Sequence, residues 1–153
     1  MKNKDIALKV SKILKEKWKD PQYKDKHIHT WCKSPNKLEK QFILLFQQNN
    51  IPFKFTGNGK YWINSRSGRY RCPDFINTEL KKVILICGEH WHPPQKIREQ
   101  INDYKSVGLS TLILLDKDVV RSKGRSPTFP YNLKENYILS LVNSFLKQEG
   151  ATA

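Results

Sequence analysis

At 153 residues the chain is long enough for one ordinary domain carrying a short appendage, and it needs no disulfide or metal staple to bury its core. Its 28 Lys+Arg against 14 Asp+Glu leave a formal charge of +14, self-repulsion that a polyanion relieves, so nucleic acid is the expected partner and a membrane surface the weaker alternative. The 3 cysteines lack CxxC spacing, which argues against a disulfide framework or a cysteine-rich zinc site, and no stretch nears the ~20 apolar residues of a membrane span. Residues 1–12 lack the apolar core of a signal peptide, so a soluble intracellular protein is expected.

In chain order, the first segment is the most basic, with ten lysines and four acids in residues 1–34. Ile6, Val10, Ile13, Leu14 and Trp18 fall at helical spacing and form one narrow apolar stripe, and Asp20-Pro21 stops that helix. A segment of this kind builds no core alone; it is either a solvated helical cap or an arm that orders on DNA. Ser34-Pro35-Asn36 reads as a second helix start, with Ser at the N-cap, and Leu38, Phe42, Leu45 and Phe46 line one face as far as Gln48. Extended runs follow at Ile51–Phe55 and Tyr61–Ile63 around a Gly57-Asn58-Gly59 turn, then a basic loop from Arg66 to Arg71. Cys72–Ile76 and Val83–Cys87 read as strands joined by a turn at Asn77-Thr78-Glu79. Pro94–Val107 reads as a helix stopped by Gly108, Thr111–Leu115 as a buried strand, and Asn132 with Glu135 opens a last helix through Leu146. The order is α, then β-β-β, then α-β-α.

Some acids and imidazoles stand where core-building does not explain them. At about 100° per residue, Glu39 falls inside the arc of Leu38, Phe42, Phe46 and Ile43, where a carboxylate needs a cation or a flanking salt bridge. Asp74 interrupts an apolar strand, either to satisfy turn amides or as a rigid mount for a metal-binding carboxylate. Glu89, His90 and His92 crowd the end of the apolar strand beyond Gly88, where a fixed strand meets an open loop; beside Asp74, His92 is a candidate general base. Glu99 and Asp103 share a helical face that is either solvated or functional. Carboxylates that hold Mg²⁺, a histidine that activates water, and the nearby Arg66, Arg69, Arg71, Lys81 and Lys82 for phosphate contacts together describe phosphodiester hydrolysis.

Ser34-Pro35-Asn36-Lys37-Leu38-Glu39, Cys72-Pro73-Asp74-Phe75, and Val83 to Gly88 followed by Trp91-His92 resemble the very-short-patch-repair endonucleases. The resemblance is closer to the homing endonucleases on that fold, within the PD-(D/E)xK nuclease superfamily, and it covers about residues 34–120. It implies an α/β restriction-endonuclease-like α-β-β-β-α-β core with a mixed central sheet flanked by helices. It further implies a metal-dependent endonuclease acting on double-stranded DNA, with Mg²⁺ as cofactor and Mn²⁺ as its substitute, in the cytoplasm of a bacterial or phage-infected cell. Carried over, Asp74 is the central metal ligand, the Ile86 backbone carbonyl the second contact, Glu39 the support of the metal's water, His92 the general base and Glu99 the last acid, with Asp103 its competitor. Residues 9–26 resemble the short modular elements beside such nucleases through Ser11, Lys15, Trp18, Asp20, Pro21 and Tyr23.

The implied organisation is a basic helical DNA-binding arm over residues 1–33, contacting phosphate through Lys12, Lys15, Lys19 and Lys24, and an endonuclease domain over 34–153. Cys87 replaces the histidine that repair enzymes carry before the glycine, their structural zinc site is not expected here, and Leu85 occupies the place of the acid in the superfamily's Glu-x-Lys. Those departures move the expectation from mismatch repair towards a homing-type nuclease. Three other readings stay open: an inactive nucleic-acid-binding module on the same fold, a DNA-repair or restriction nuclease of the same superfamily, and a zinc-dependent interaction domain using His90 and His92.

Overall fold

The computed structural model describes residues 2–23, 34–88, 93–122 and 131–149. The chain divides into two compact units, Met1–Cys32 and Lys33–Ala153. In the first unit, helix α1 (Lys2–Lys17) carries Ile6, Val10, Ile13 and Leu14 on its surface, all exposed, among lysines. Helical backbone resumes at Pro21, where Asp20 Oδ1 accepts the Gln22 amide at 3.0 Å, so Asp20-Pro21 both stops one helix and caps the next turn. Trp18 packs edge-on against Tyr23, their ring centroids 5.5 Å apart.

The second unit is a mixed α/β fold. Helix α2 (Lys37–Gln48) is followed by the short strands β1 (Lys54–Phe55), β2 (Ile63–Asn64), β3 (Tyr70–Arg71) and β4 (Phe75–Asn77), and then by β5 (Lys82–Cys87). Helix α3 (Pro94–Ser106), β6 (Ser110–Leu115), α4 (Asp116–Val119), β7 (Val120–Ser122), β8 (Asn132–Leu133) and α5 (Glu135–Lys147) complete it. The central sheet has the order β1-β4-β5-β6, antiparallel at its first two pairings and parallel between β5 and β6. The ribbons β2-β3 and β7-β8 stand apart from it. No helix among the described residues is long and apolar enough to cross a membrane.

Strand periodicity puts successive β5 side chains on opposite faces. Ile84 joins Phe42, Phe46, Phe75, Leu114, Ile138, Val142 and Phe145 in a core under α2 and α5. Val83, Leu85 and Cys87 join Ile76, Tyr104 and Leu109 in a second core, with Ile97 of α3 packed against it. A strand covered on both faces reads as an unbroken apolar run, which is why residues 83–87 have no polar alternation.

Several local readings are revised. The N-cap of α2 is Asn36 rather than Ser34: Asn36 Oδ1 accepts the Glu39 amide at 2.8 Å and Glu39 Oε2 accepts the Asn36 amide at 2.9 Å. That reciprocal box satisfies two helix-end amides, which a Ser34-Pro35 start leaves undone. The runs flanking Gly57-Asn58-Gly59 do not pair with each other, because β1 pairs with β4 while β2 pairs with β3. The end of the basic loop, Tyr70–Arg71, is therefore a strand. Asn132 lies in β8 instead of capping α5. Lys82, expected at phosphate, is only 2% exposed and donates to the carbonyls of Phe145, Leu146 and Gln148 at 2.6, 3.0 and 2.7 Å. Those carbonyls terminate α5 and carry its negative dipole end, so the ammonium is held where its charge is compensated.

Candidate active site

Asp74 is fixed from three directions. Its own carbonyl accepts the amides of Thr56 and Gly57 at 2.8 and 3.2 Å, and Thr56 Oγ1 donates to the Pro73 carbonyl at 2.8 Å. Its side chain reaches past the start of β4 to β5, where Oδ2 accepts the Ile86 amide at 2.8 Å. Asp74 is thus at the bend just before the strand, not within it. The β4-β5 register pairs Phe75 with Ile84, and continuing it by two residues sets Pro73 opposite Ile86. Proline has no N–H, so it offers no donor to the Ile86 carbonyl, while the aspartate replaces a ladder acceptor for the Ile86 amide. Amide and carbonyl of one strand residue point to the same edge, which turns the Ile86 carbonyl towards the Asp74 side.

Around Asp74 opens a cleft of about 500 Å³ lined by Asn36, Leu38, Glu39, Trp62, Tyr70, Arg71, Cys72, Leu85, Ile86, Cys87, Gly88, Gln100, Tyr104 and Asp116. It lies at the carboxyl ends of the parallel strands β5 and β6, where fixed backbone meets the loops that follow. Burial, reinforced by the Glu39 charge and opposed by the Ile86 amide, pushes the Asp74 carboxyl up to about 7. Burial, with Asp74 and Asp116 nearby, likewise pushes the Cys87 thiol up to about 12. Burial also raises the Cys72 thiol, which donates to the Thr56 carbonyl at 3.1 Å. Both sulfurs are therefore protonated at neutral pH and are poor soft-metal ligands or nucleophiles.

The expected site residues separate. Glu39 and Asp74 share the cleft, with Ile86 beside them. Glu99 faces out of it and pairs with Arg69, its Oε2 at 2.9 Å from Nη1. Asp103 is 5% exposed and its Oδ2 is held by Arg71 Nε at 2.9 Å. Arg66 is exposed on the β2-β3 loop, its amide donating to Ser106 Oγ at 3.1 Å. Lys12, Lys15 and Lys19 lie exposed on the first unit. His92, His90 and Lys24 lie outside the described residues.

Three cleft residues went unseen in the sequence. Asp116 immediately follows the apolar run of β6, at the carboxyl end of a parallel strand, and that position was the available signal. Gln100 stands between Glu99 and Ile101, and no sequence pattern separates it from a solvated helix residue. Its Oε1 is buried with no hydrogen-bond partner among the described residues. Trp62 also lines the cleft, with its indole N–H donating to the Gly59 carbonyl at 2.8 Å.

As a donor set, the cleft suits a hard cation. Asp74, Glu39 and Asp116 supply carboxylate oxygens, and the orphaned Gln100 acceptor suits a donor such as water in a cation's hydration shell. Among the described residues no three His, Cys, Asp or Glu side chains close around one point as a metal ligand set. Neither a scan against protein-family models nor a search of curated proteins finds a match for this chain.

Proposed function

We propose that the protein is a metal-dependent endonuclease that hydrolyses phosphodiester bonds in double-stranded DNA, with a restriction-endonuclease-like core and a basic arm over residues 1–33. The observation that carries this reading is a carboxylate-lined cleft, built around a pinned and charge-starved Asp74, inside a chain of net charge +14. Such a cleft repels phosphate on its own, whereas the surrounding protein attracts it. A divalent cation resolves the conflict, because it restores the Asp74 carboxylate and polarises a phosphate oxygen.

In this reading Asp74 and the Ile86 carbonyl would hold Mg²⁺, with Mn²⁺ as substitute, and Glu39 would orient water from the start of α2. A water oxygen bonds to phosphorus, one of its protons passes to His92, and the ester bond breaks as the leaving oxygen takes a proton from solvent water. A homing-type activity, cutting or nicking at a directed sequence, fits the resemblance of residues 34–120 best. Incubating supercoiled plasmid with the protein and Mg²⁺ tests it: nicked or linear product is expected, and Asp74→Ala and His92→Ala abolish it while remaining folded.

One specific feature favours a second reading. Leu85 lines the same cleft where the resembled superfamily carries an acid, which fits a DNA-binding module that has lost catalysis. Duplex binding with plasmid left intact across Mg²⁺, Mn²⁺ and varied targets selects that module.

A further inference from the structure

The cleft is lined by three carboxylates and, among the described residues, one basic side chain, Arg71. Arg69 is turned outward to Glu99 and Lys82 is consumed by the end of α5, so neither supplies charge there. Arg71 lies on β3, two residues before Pro73 and three before Asp74, in a strand whose partner is Ile63. Its Nε donates to Asp103 Oδ2 at 2.9 Å, and no described residue takes its terminal Nη groups. Asp103 is itself held, since Oδ1 accepts the Ser67 hydroxyl at 2.8 Å, and Ser67 Oγ lies 2.7 Å from Ser65 Oγ. A guanidinium gripped at Nε by a buried, immobilised carboxylate loses rotational freedom while its outer edge stays available. That planar edge matches two oxygens of one phosphate.

Although burial opposes ionisation, hydrogen bonds from Arg71 and Ser67 and the two arginine charges keep the Asp103 carboxyl below its ordinary range. The pair is therefore charged at neutral pH, as gripping a cation demands.

Resting on the nuclease reading above, we propose that Arg71 is a catalytic residue that clamps the scissile phosphate in the carboxylate-lined cleft, and that Asp103 is its positioning residue. A structural ion pair joining the β2-β3 ribbon to α3 is the competing account, and it makes no demand on the Nη edge.

The probe is the dinucleotide pTpT in Ca²⁺, followed through the Arg71 Nε–Hε resonance, beside single-turnover nicking of supercoiled plasmid in Mg²⁺. The clamp predicts a saturable shift of that resonance. Arg71→Lys, which keeps a charge and most of the packing, slows nicking on the order of 100-fold, as does Arg71→Ala. Guanidinium ion at millimolar concentration restores part of the Arg71→Ala rate, but not in the double variant with Asp103→Asn, where the grip is gone; a purely structural pair shows no such dependence. An Arg71 resonance unmoved at saturating pTpT, or Arg71→Lys nicking at the wild-type rate, overturns the clamp and leaves the nuclease reading standing. Wild-type protein that leaves plasmid intact, yet shifts Arg71 with pTpT, overturns the nuclease reading and keeps a phosphate site.

Discussion

Asp74 Oδ2 accepts the amide of Ile86 at 2.8 Å, so the side chain of one strand's entry completes the ladder of its neighbour. The same bond that orients the carboxylate also turns it into a buried charge beside Glu39. Its stability consequence has a definite sign. The folded carboxyl titrates at about 7 against an ordinary 3.8, because burial, reinforced by Glu39, outweighs the amide bond.

A raised acid favours folding fully below its unfolded pKa and loses that contribution as pH climbs through the folded one. Asp74→Asn keeps an acceptor for Ile86 but never ionises. In EDTA its melting temperature should match wild type near pH 4 and exceed it by several degrees near pH 8, from a difference on the order of 2–4 kcal/mol. Mg²⁺ should narrow that gap by raising wild type alone. Thermal melts across pH with and without Mg²⁺ decide it, and parallel curves for the two proteins refute the assignment.

Glu39 does two things at once, and they can be separated. It closes the capping box of α2 and it faces the cleft. Glu39→Gln retains the box, since glutamine fills the same role, and should melt within about a degree of wild type while losing cleavage. Glu39→Ala should cost about 1 kcal/mol in stability as well. Urea titration beside plasmid nicking separates the two; full activity in Glu39→Gln would confine Glu39 to capping.

Gly57 is required for space rather than for backbone freedom. A Cβ there falls 2.8 Å from Phe55 Cε2 and 3.2 Å from Asp74 Oδ1, and both groups are committed, one to the core and one to Ile86. Gly57→Ala should therefore displace Asp74 and weaken Mg²⁺ binding about tenfold or more, read by calorimetric titration, with a stability loss of about 1–3 kcal/mol from overpacking. Unchanged Mg²⁺ affinity places the ion elsewhere.

Lys82 offers a test of the fold independent of the site. Its ammonium satisfies three terminal carbonyls of α5 from inside the protein. Lys82→Met fills similar volume and removes the charge but strands those acceptors, so a loss of about 2–4 kcal/mol is expected in chemical denaturation. A near-neutral result means the carbonyls find water.

What the sequence made legible followed from periodicity and composition. The apolar run of residues 83–87, the helix stop at Gly108 (φ 82°) and the order of the main elements were readable because each is set by local chemistry. Pairing was not: Ile51–Phe55 and Tyr70–Arg71 are both near neighbours of Tyr61–Ile63, and the choice is settled by the non-local pairing of β1 with β4. Lys82 misled for the same reason, since a lysine beside a turn looks solvent-facing until the end of α5 arrives 63 residues later. At the site, Asp74 and Glu39 were visible as polar residues in apolar company. Asp116 carried only the signal of its place after the apolar run of β6, and Gln100 carried none, because its surroundings are assembled only by the packing of α3.

Residues 1–34 hold ten lysines and four acids, and Lys12, Lys15 and Lys19 lie exposed on the first unit. If they contact DNA phosphates, each contact releases counterions and steepens the fall of affinity with salt by about 0.9 in log–log slope. Removing residues 1–33 should thus weaken duplex binding and flatten the slope by about 3 or more. Because the proposed clamp lies in the other unit, the nicking rate at saturating protein should change far less than the affinity. Anisotropy titrations from low to physiological salt measure the first effect and single-turnover nicking the second. An unchanged slope assigns the charge of residues 1–33 to something other than DNA.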